Sequence, residues 1–234
     1  MSTALQLDPP QERSIRLKTL SFFKTPRWLY TLHRVLFRWT NGIWNDVMSW
    51  AIGKINGKYK VIDSKGSLFG YSQQDVQSVV QKMRSDGYCV LPQTLSNEMI
   101  QALTDFSLKT PVKYVLPAED YSKDGIKYTS AVELVDEAKK KSTRLQFEQE
   151  QLVQNDVVQR IALDPYLLSI AQEYLGVKPI LTSLVMWWSF PVKDKEKFAG
   201  PAAQMFHFDM DCLKFFKFFF YLTDVDGNNG PHCF

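Results

Sequence analysis

The helical runs of this chain all lie before Pro179, and the segments after it read as strand. Before that point apolar residues recur at spacings of three and four, as in Val76, Val79, Val80 and Met83, and again in Met99, Ile100, Leu103 and Phe106. Beyond it, Ile180–Ser189, Gln204–Met210 and Phe215–Thr223 are rich in β-branched and aromatic residues. A chain that spends its helices first and its strands last belongs to the α+β class, not to an alternating α/β fold.

Local signals divide the helical part. Ser72 followed by Asp75 reads as a capping box, and Gly87 as a C-terminal stop. Tyr88–Leu91 reads as a short strand ended by Pro92, and Ser96 caps the helix that follows. Residues 110–150 are polar and irregular, with a helix expected around Val132–Lys140. Asp156–Leu163 and Pro165–Leu175 are two further helical runs, the second opening on a first-turn proline and closing at Gly176.

Composition narrows the class of protein. At 45% hydrophobic and 23% charged, the 234 residues suffice for a sizeable core and exclude a disordered or collagen-like chain. Cys89, Cys212 and Cys233 are an odd set with no CxxC pair, which argues against a disulfide-stapled module and a structural zinc site. The longest apolar runs, Leu184–Trp188 and Phe218–Leu222, are five residues, whereas a spanning helix needs about 20. No basic-then-apolar leader pattern opens the chain. The expectation is a soluble, cytoplasmic protein.

Charge is unevenly spread. Residues 1–60 carry ten Lys/Arg against Asp8, Glu12 and Asp46; the remainder carry eighteen against twenty-two Asp/Glu. Residues 1–26 read as a polar arm. From Arg27 to Ala51 the pattern predicts a basic, Trp-rich amphipathic helix with Trp28, Leu32, Val35, Trp39, Ile43, Val47 and Trp50 on one side. Two readings stand for that face: it packs on the main domain, or residues 27–51 make a peripheral contact with an anionic membrane surface. Nucleic acid is not an expected partner, because the rest of the chain supplies no basic groove. Gly53–Gly70 reads as a linker, so the expected organisation is an N-terminal segment over 1–70 and a domain over 71–234.

Chemistry is sparsely signposted. No phosphate-binding glycine loop, nucleophile elbow or HExxH helix is present. The candidate is His207-Phe208-Asp209. On a strand, residues two apart share a face about 6.6 Å apart, so the imidazole and carboxylate can converge on one metal ion. A third ligand would complete a two-His-one-carboxylate triad. The alternative is a strand histidine hydrogen-bonded to a nearby carboxylate. In the next strand Phe216, Phe218, Phe220 and Leu222 form one apolar face, while Lys217, Tyr221 and Thr223 put polar groups on the other. That alternation fits a barrel wall around a polar ligand, and equally an ordinary sandwich strand.

Gln204-Met-Phe-His207-Phe-Asp209, followed by Tyr221-Leu-Thr-Asp-Val-Asp-Gly-Asn-Asn-Gly-Pro-His232, resembles the phytanoyl-CoA dioxygenase family. Asp86–Pro92 with its flanking helices is similar to that family's opening strand, and the likeness covers roughly residues 72–234. The resemblance implies helices packed on a double-stranded β-helix (jelly-roll, cupin-like) core, here incomplete. It implies an Fe(II)- and 2-oxoglutarate-dependent hydroxylase acting on a small-molecule substrate with O2. His207 and Asp209 would be iron ligands. Tyr221 matches an aromatic contact to the cosubstrate, and Thr223 shares its face.

In that family the second histidine ligand and the arginine that binds the distal carboxylate follow the Gly-Pro turn. Phe234 comes before both, so the expectation is a fragment that binds Fe(II) weakly and does not turn over. His232 is weighed as a substitute ligand. The alternative function is a non-catalytic relative that binds a ligand or partner on the same scaffold.

Overall fold

The computed structural model describes residues 27–56, 68, 75–91, 95–116, 128–130, 132–191, 209, 213–228 and 231–233. Two compact units divide the chain between Asn45 and Asp46. The expected boundary at 70/71 lies outside the described residues.

The first unit holds α1 (Arg27–Trp39) and the opening of α2 (Ile43–Asn56), which continues into the second. The sequence pattern predicts one helix here, and the structure breaks it. Asn41 (φ 49°) and Gly42 (φ 88°) take left-handed backbone, a conformation that asparagine and glycine tolerate best. Thr40 serves both ends of the break. Its hydroxyl donates to the Leu36 carbonyl at 2.7 Å and accepts the Trp44 N–H at 2.9 Å. The Gly42 N–H returns to the Phe37 carbonyl at 2.9 Å, so the last carbonyls of α1 are satisfied. His33 Nδ1 accepts the Trp44 indole N–H at 3.0 Å, with the two rings edge to face.

The second unit is α+β. Its helices are α3 (Val76–Asp86), α4 (Asn97–Lys109), α5 (Val135–Ala138), α6 (Gln149–Val153), α7 (Asp156–Ala162) and α8 (Pro165–Leu175). The strands β1 (Lys113–Tyr114), β2 (Arg144–Gln146) and β3 (Trp187–Ser189) form one antiparallel sheet in the order β1-β2-β3. Caps fall where side-chain chemistry puts them. Ser96 accepts the Met99 N–H, Asn155 those of Val157 and Val158, and Asp164 those of Tyr166 and Leu167. Gly87 and Gly176 close α3 and α8 at φ 82° and 75°. The N-cap of α3 is Asp75, whose carboxylate accepts the Ser78 N–H at 3.0 Å; the expected cap Ser72 lies outside the described residues. Tyr88–Leu91 forms no strand, and of Ile180–Ser189 only the last three residues pair.

Two apolar clusters hold this unit together. In one, α3 packs along α8 through Val79, Val80, Tyr166, Leu167 and Ile170, with Met99 and Leu68. In the other, Leu145, Phe147 and Val112 meet Val135, Ala138 and Leu152. Burying each such side chain contributes about 1.5–3 kcal/mol. Helix α7 lies between the two: Val157 and Ile161 pack on the first cluster and Val158 on the second. The sheet register sends alternate residues to opposite faces. Leu145 pairs with Trp188 on the core side, while Gln146 pairs with Trp187 on the other, where the Arg144 guanidinium lies 4.8 Å above the Trp187 ring.

Candidate functional site

Side chains from Phe215 to Tyr221 keep a period of two. Phe216 packs edge-on against Tyr174 of α8 at 5.3 Å between centroids, Phe218 packs on Phe216 at 4.9 Å, and Phe220 joins the α3–α8 cluster. The odd positions meet different partners. Phe219 packs perpendicular to Trp187 of β3, Lys217 reaches Asp209, and Tyr221 reaches His232. The segment carries the alternation of a strand without a paired ladder among the described residues, so the expected strand is present as side-chain phase only.

Asp209 is half-buried, and its Oδ2 accepts a charge-assisted hydrogen bond from the Lys217 ammonium. Lys217 also passes over the Phe215 ring at 5.7 Å. Both charged groups keep partial contact with solvent, 43% for the lysine side chain and 38% for the aspartate, so the pair is displaceable. Beside it, Lys214 lies over the Tyr174 ring at 5.1 Å. Burial pushes its pKa below the ordinary lysine range; nearby Arg84 adds to the effect and Asp46 opposes it.

Tyr221 and His232 form the second pair. His232 Nδ1 lies 2.8 Å from the phenol oxygen, and the His232 backbone N–H donates to that same oxygen at 3.1 Å. The imidazole also packs on Phe219 at 4.3 Å between centroids. Asp226 steadies the turn between them by accepting the Asn228 N–H at 2.8 Å. Thr223 is exposed and enters neither pair. His207 lies outside the described residues, and among the described residues no three His, Cys, Asp or Glu side chains converge on a metal position. A concavity of about 290 Å3 is lined by Phe106, Thr110, Gln151, Gln154 and Asn155, none of them a candidate site residue.

The structure therefore joins Asp209 to Lys217 and Tyr221 to His232, two pairs four residues apart along one face of the segment. Sequence reasoning put Lys217 on that face without giving it a role; the signal was its parity with Tyr221. His232, weighed as an iron ligand, is Tyr221's partner.

No family model, curated protein or solved structure matches the chain.

A carboxylate and an imidazole are donors that Fe(II) accepts; Asp209 is half-buried, and His207 lies outside the described residues. A dication at Asp209 would have to displace the Lys217 ammonium, because like charges at that range repel.

Proposed function

We propose that the chain belongs to an Fe(II)- and 2-oxoglutarate-dependent oxygenase of the phytanoyl-CoA dioxygenase type, a hydroxylase of a small-molecule substrate. Its three-stranded sheet and the alternating segment after it would be the opening of a double-stranded β-helix. One observation carries the reading: Lys217 and Tyr221 meet Asp209 and His232 from one side of a segment whose other side meets α8 through Phe216 and the α3–α8 cluster through Phe220. That is the division a barrel wall needs, with apolar residues outward on the helices and polar ones inward.

Asp209 and His207 would hold the iron, and Tyr221 and Thr223 would line the cosubstrate. Bound there, iron with 2-oxoglutarate and O2 supplies oxidative decarboxylation to succinate and CO2, coupled to hydroxylation of a substrate C–H bond. The residues of this chain do the positioning. Asp209 offers a carboxylate whose charge favours a cation. The Tyr221 phenol, held by the His232 ring and backbone, would set an aromatic edge beside the cosubstrate. Trp187 and Phe219 stand edge to face on the same side.

A second reading has its own support. The Lys217 ammonium already neutralises Asp209, as a non-catalytic scaffold would require once iron is dispensed with. Anaerobic calorimetry with Fe(II), and then with 2-oxoglutarate, separates the two. The oxygenase reading expects weak Fe(II) binding by residues 1–234 that Asp209→Ala abolishes, and succinate formation by the gene product carrying the whole ligand set. Fe(II) binding indifferent to Asp209→Ala and His207→Ala would sink it.

A further inference from the structure

Helix α1 presents an apolar stripe to solvent. Trp28, Leu32, Val35 and Trp39 are 67%, 45%, 41% and 85% exposed. At 3.6 residues per turn these four fall within an arc of roughly 60°. The inward side of the helix is a different one: His33 and Phe37, roughly opposite, meet Trp44 and the Gly42 turn. The stripe is therefore not the face that α1 uses to pack within its own unit. Isolated exposed apolar residues are ordinary, but two tryptophans, a leucine and a valine aligned over three turns form a contiguous patch.

Charge on the same helix narrows what covers it. Arg34 and Arg38 are exposed and project roughly 110° round from the stripe. Helix α1 contains no Asp or Glu, and residues 1–45 carry seven Lys/Arg against Asp8 and Glu12. Where stripe and flank meet, Val35, Trp39 and Arg38 line a shallow concavity of about 280 Å3. An apolar face bordered by arginines, with aromatic rings at both ends, matches the boundary between acyl chains and anionic headgroups. Indole rings favour that interface, and arginine stems lie along apolar surface while their heads reach phosphate. No described helix is long and apolar enough to cross a membrane, so the contact would lie in the surface plane.

We infer that α1 docks the protein on an anionic phospholipid surface through Trp28, Leu32, Val35 and Trp39, with Arg34 and Arg38 on the headgroups. The inference stands independently of the oxygenase reading. The test is co-sedimentation of the full chain with vesicles of phosphatidylcholine alone and of phosphatidylcholine with phosphatidylserine, at low and high salt. Tryptophan quenching by brominated acyl chains reports insertion. Binding should require the anionic lipid and weaken with salt. Arg34→Gln with Arg38→Gln should reduce it by roughly 25-fold, about fivefold per charge. Trp28→Ser with Trp39→Ser, at positions too exposed to carry folding, should abolish quenching while circular dichroism stays unchanged. Absence of vesicle binding overturns the proposal, as does binding equal on neutral and anionic vesicles or indifferent to both arginines. A dimer that the tryptophan pair dissolves, without vesicle binding, would reassign the stripe to a second copy of the chain and overturn it too.

Discussion

Tyr221 and His232 hold each other through one oxygen, which accepts the His232 backbone N–H at 3.1 Å and lies 2.8 Å from the imidazole Nδ1. One phenol oxygen thus engages both the backbone and the ring of His232. The pair closes the turn that Asp226 steadies and lays the imidazole on Phe219, itself edge-on to Trp187.

Tyr221→Phe keeps the ring and removes both bonds. Stability should fall by about 1 kcal/mol, the usual worth of a partly solvated hydrogen bond. The His232 amide should lose its protection in hydrogen exchange. Urea melts and exchange by mass spectrometry check the two effects; an unchanged His232 amide would contradict the closure.

Asp164 is only 1% exposed and caps α8 with two hydrogen bonds, to Tyr166 N–H at 3.0 Å and Leu167 N–H at 3.2 Å. Asp164→Ala strands two buried donors and should cost about 2 kcal/mol. Asp164→Asn retains an acceptor and should recover most of that. The midpoint of urea unfolding decides, and equal losses for the two variants would show that capping is not the source.

Lys217 gives a sharper handle on Asp209 than removing Asp209 itself. If the carboxylate is an iron ligand, Lys217→Met lifts a competing positive charge and should tighten Fe(II) binding by roughly two- to fivefold, the range of an exposed ion pair. If the pair is purely structural, the same change leaves metal binding alone and lowers the melting temperature slightly. Anaerobic Fe(II) titration of wild type and Lys217→Met separates these outcomes.

Around α5 the Lys139 and Lys140 ammonium groups sit 2.6 and 2.8 Å from Asp136 and Glu137. Those hydrogen bonds, with the attraction of the same lysines, hold both carboxyl groups below their ordinary values of 3.8 and 4.5. A lowered carboxyl pKa means the unfolded chain binds more protons, so the stabilisation is present above the ordinary value and lost as pH falls through the folded one. Carboxyl 13C titration should place both midpoints low, and 1 M NaCl should bring them back toward normal. Midpoints indifferent to salt would contradict ion pairing as the cause.

What was legible in the sequence was what is decided locally. Gly87, Ser96, Pro165 and Gly176 mark helix ends because a left-handed backbone, a hydroxyl cap or a fixed φ acts within one turn. The parity of Phe216, Lys217, Phe220 and Tyr221 was legible for the same reason. Strands β1 and β2, two and three residues long, were not, because elements so short have no period and exist only through pairing with distant partners. Ile180–Met186 has strand composition, yet only Trp187–Ser189 finds a ladder. The break at Asn41-Gly42 was visible as a turn dipeptide, but apolar spacing carried through it and masked it. Of the candidate site, Asp209, Tyr221 and Thr223 fall on described residues and His207 does not.

Neighbouring residues of α7, Val157 and Val158, belong to different apolar clusters. A seven-residue helix is thus, together with α4 (Met99 on one cluster, Phe106 on the other), a party wall through which the two halves of the second unit sense each other. Cooperative melting of that unit depends on this wall more than on the thickness of either cluster. Loosen it, as with Val157→Gly, and one transition should split into two, the α3–α8 half and the sheet half each unfolding at its own denaturant concentration.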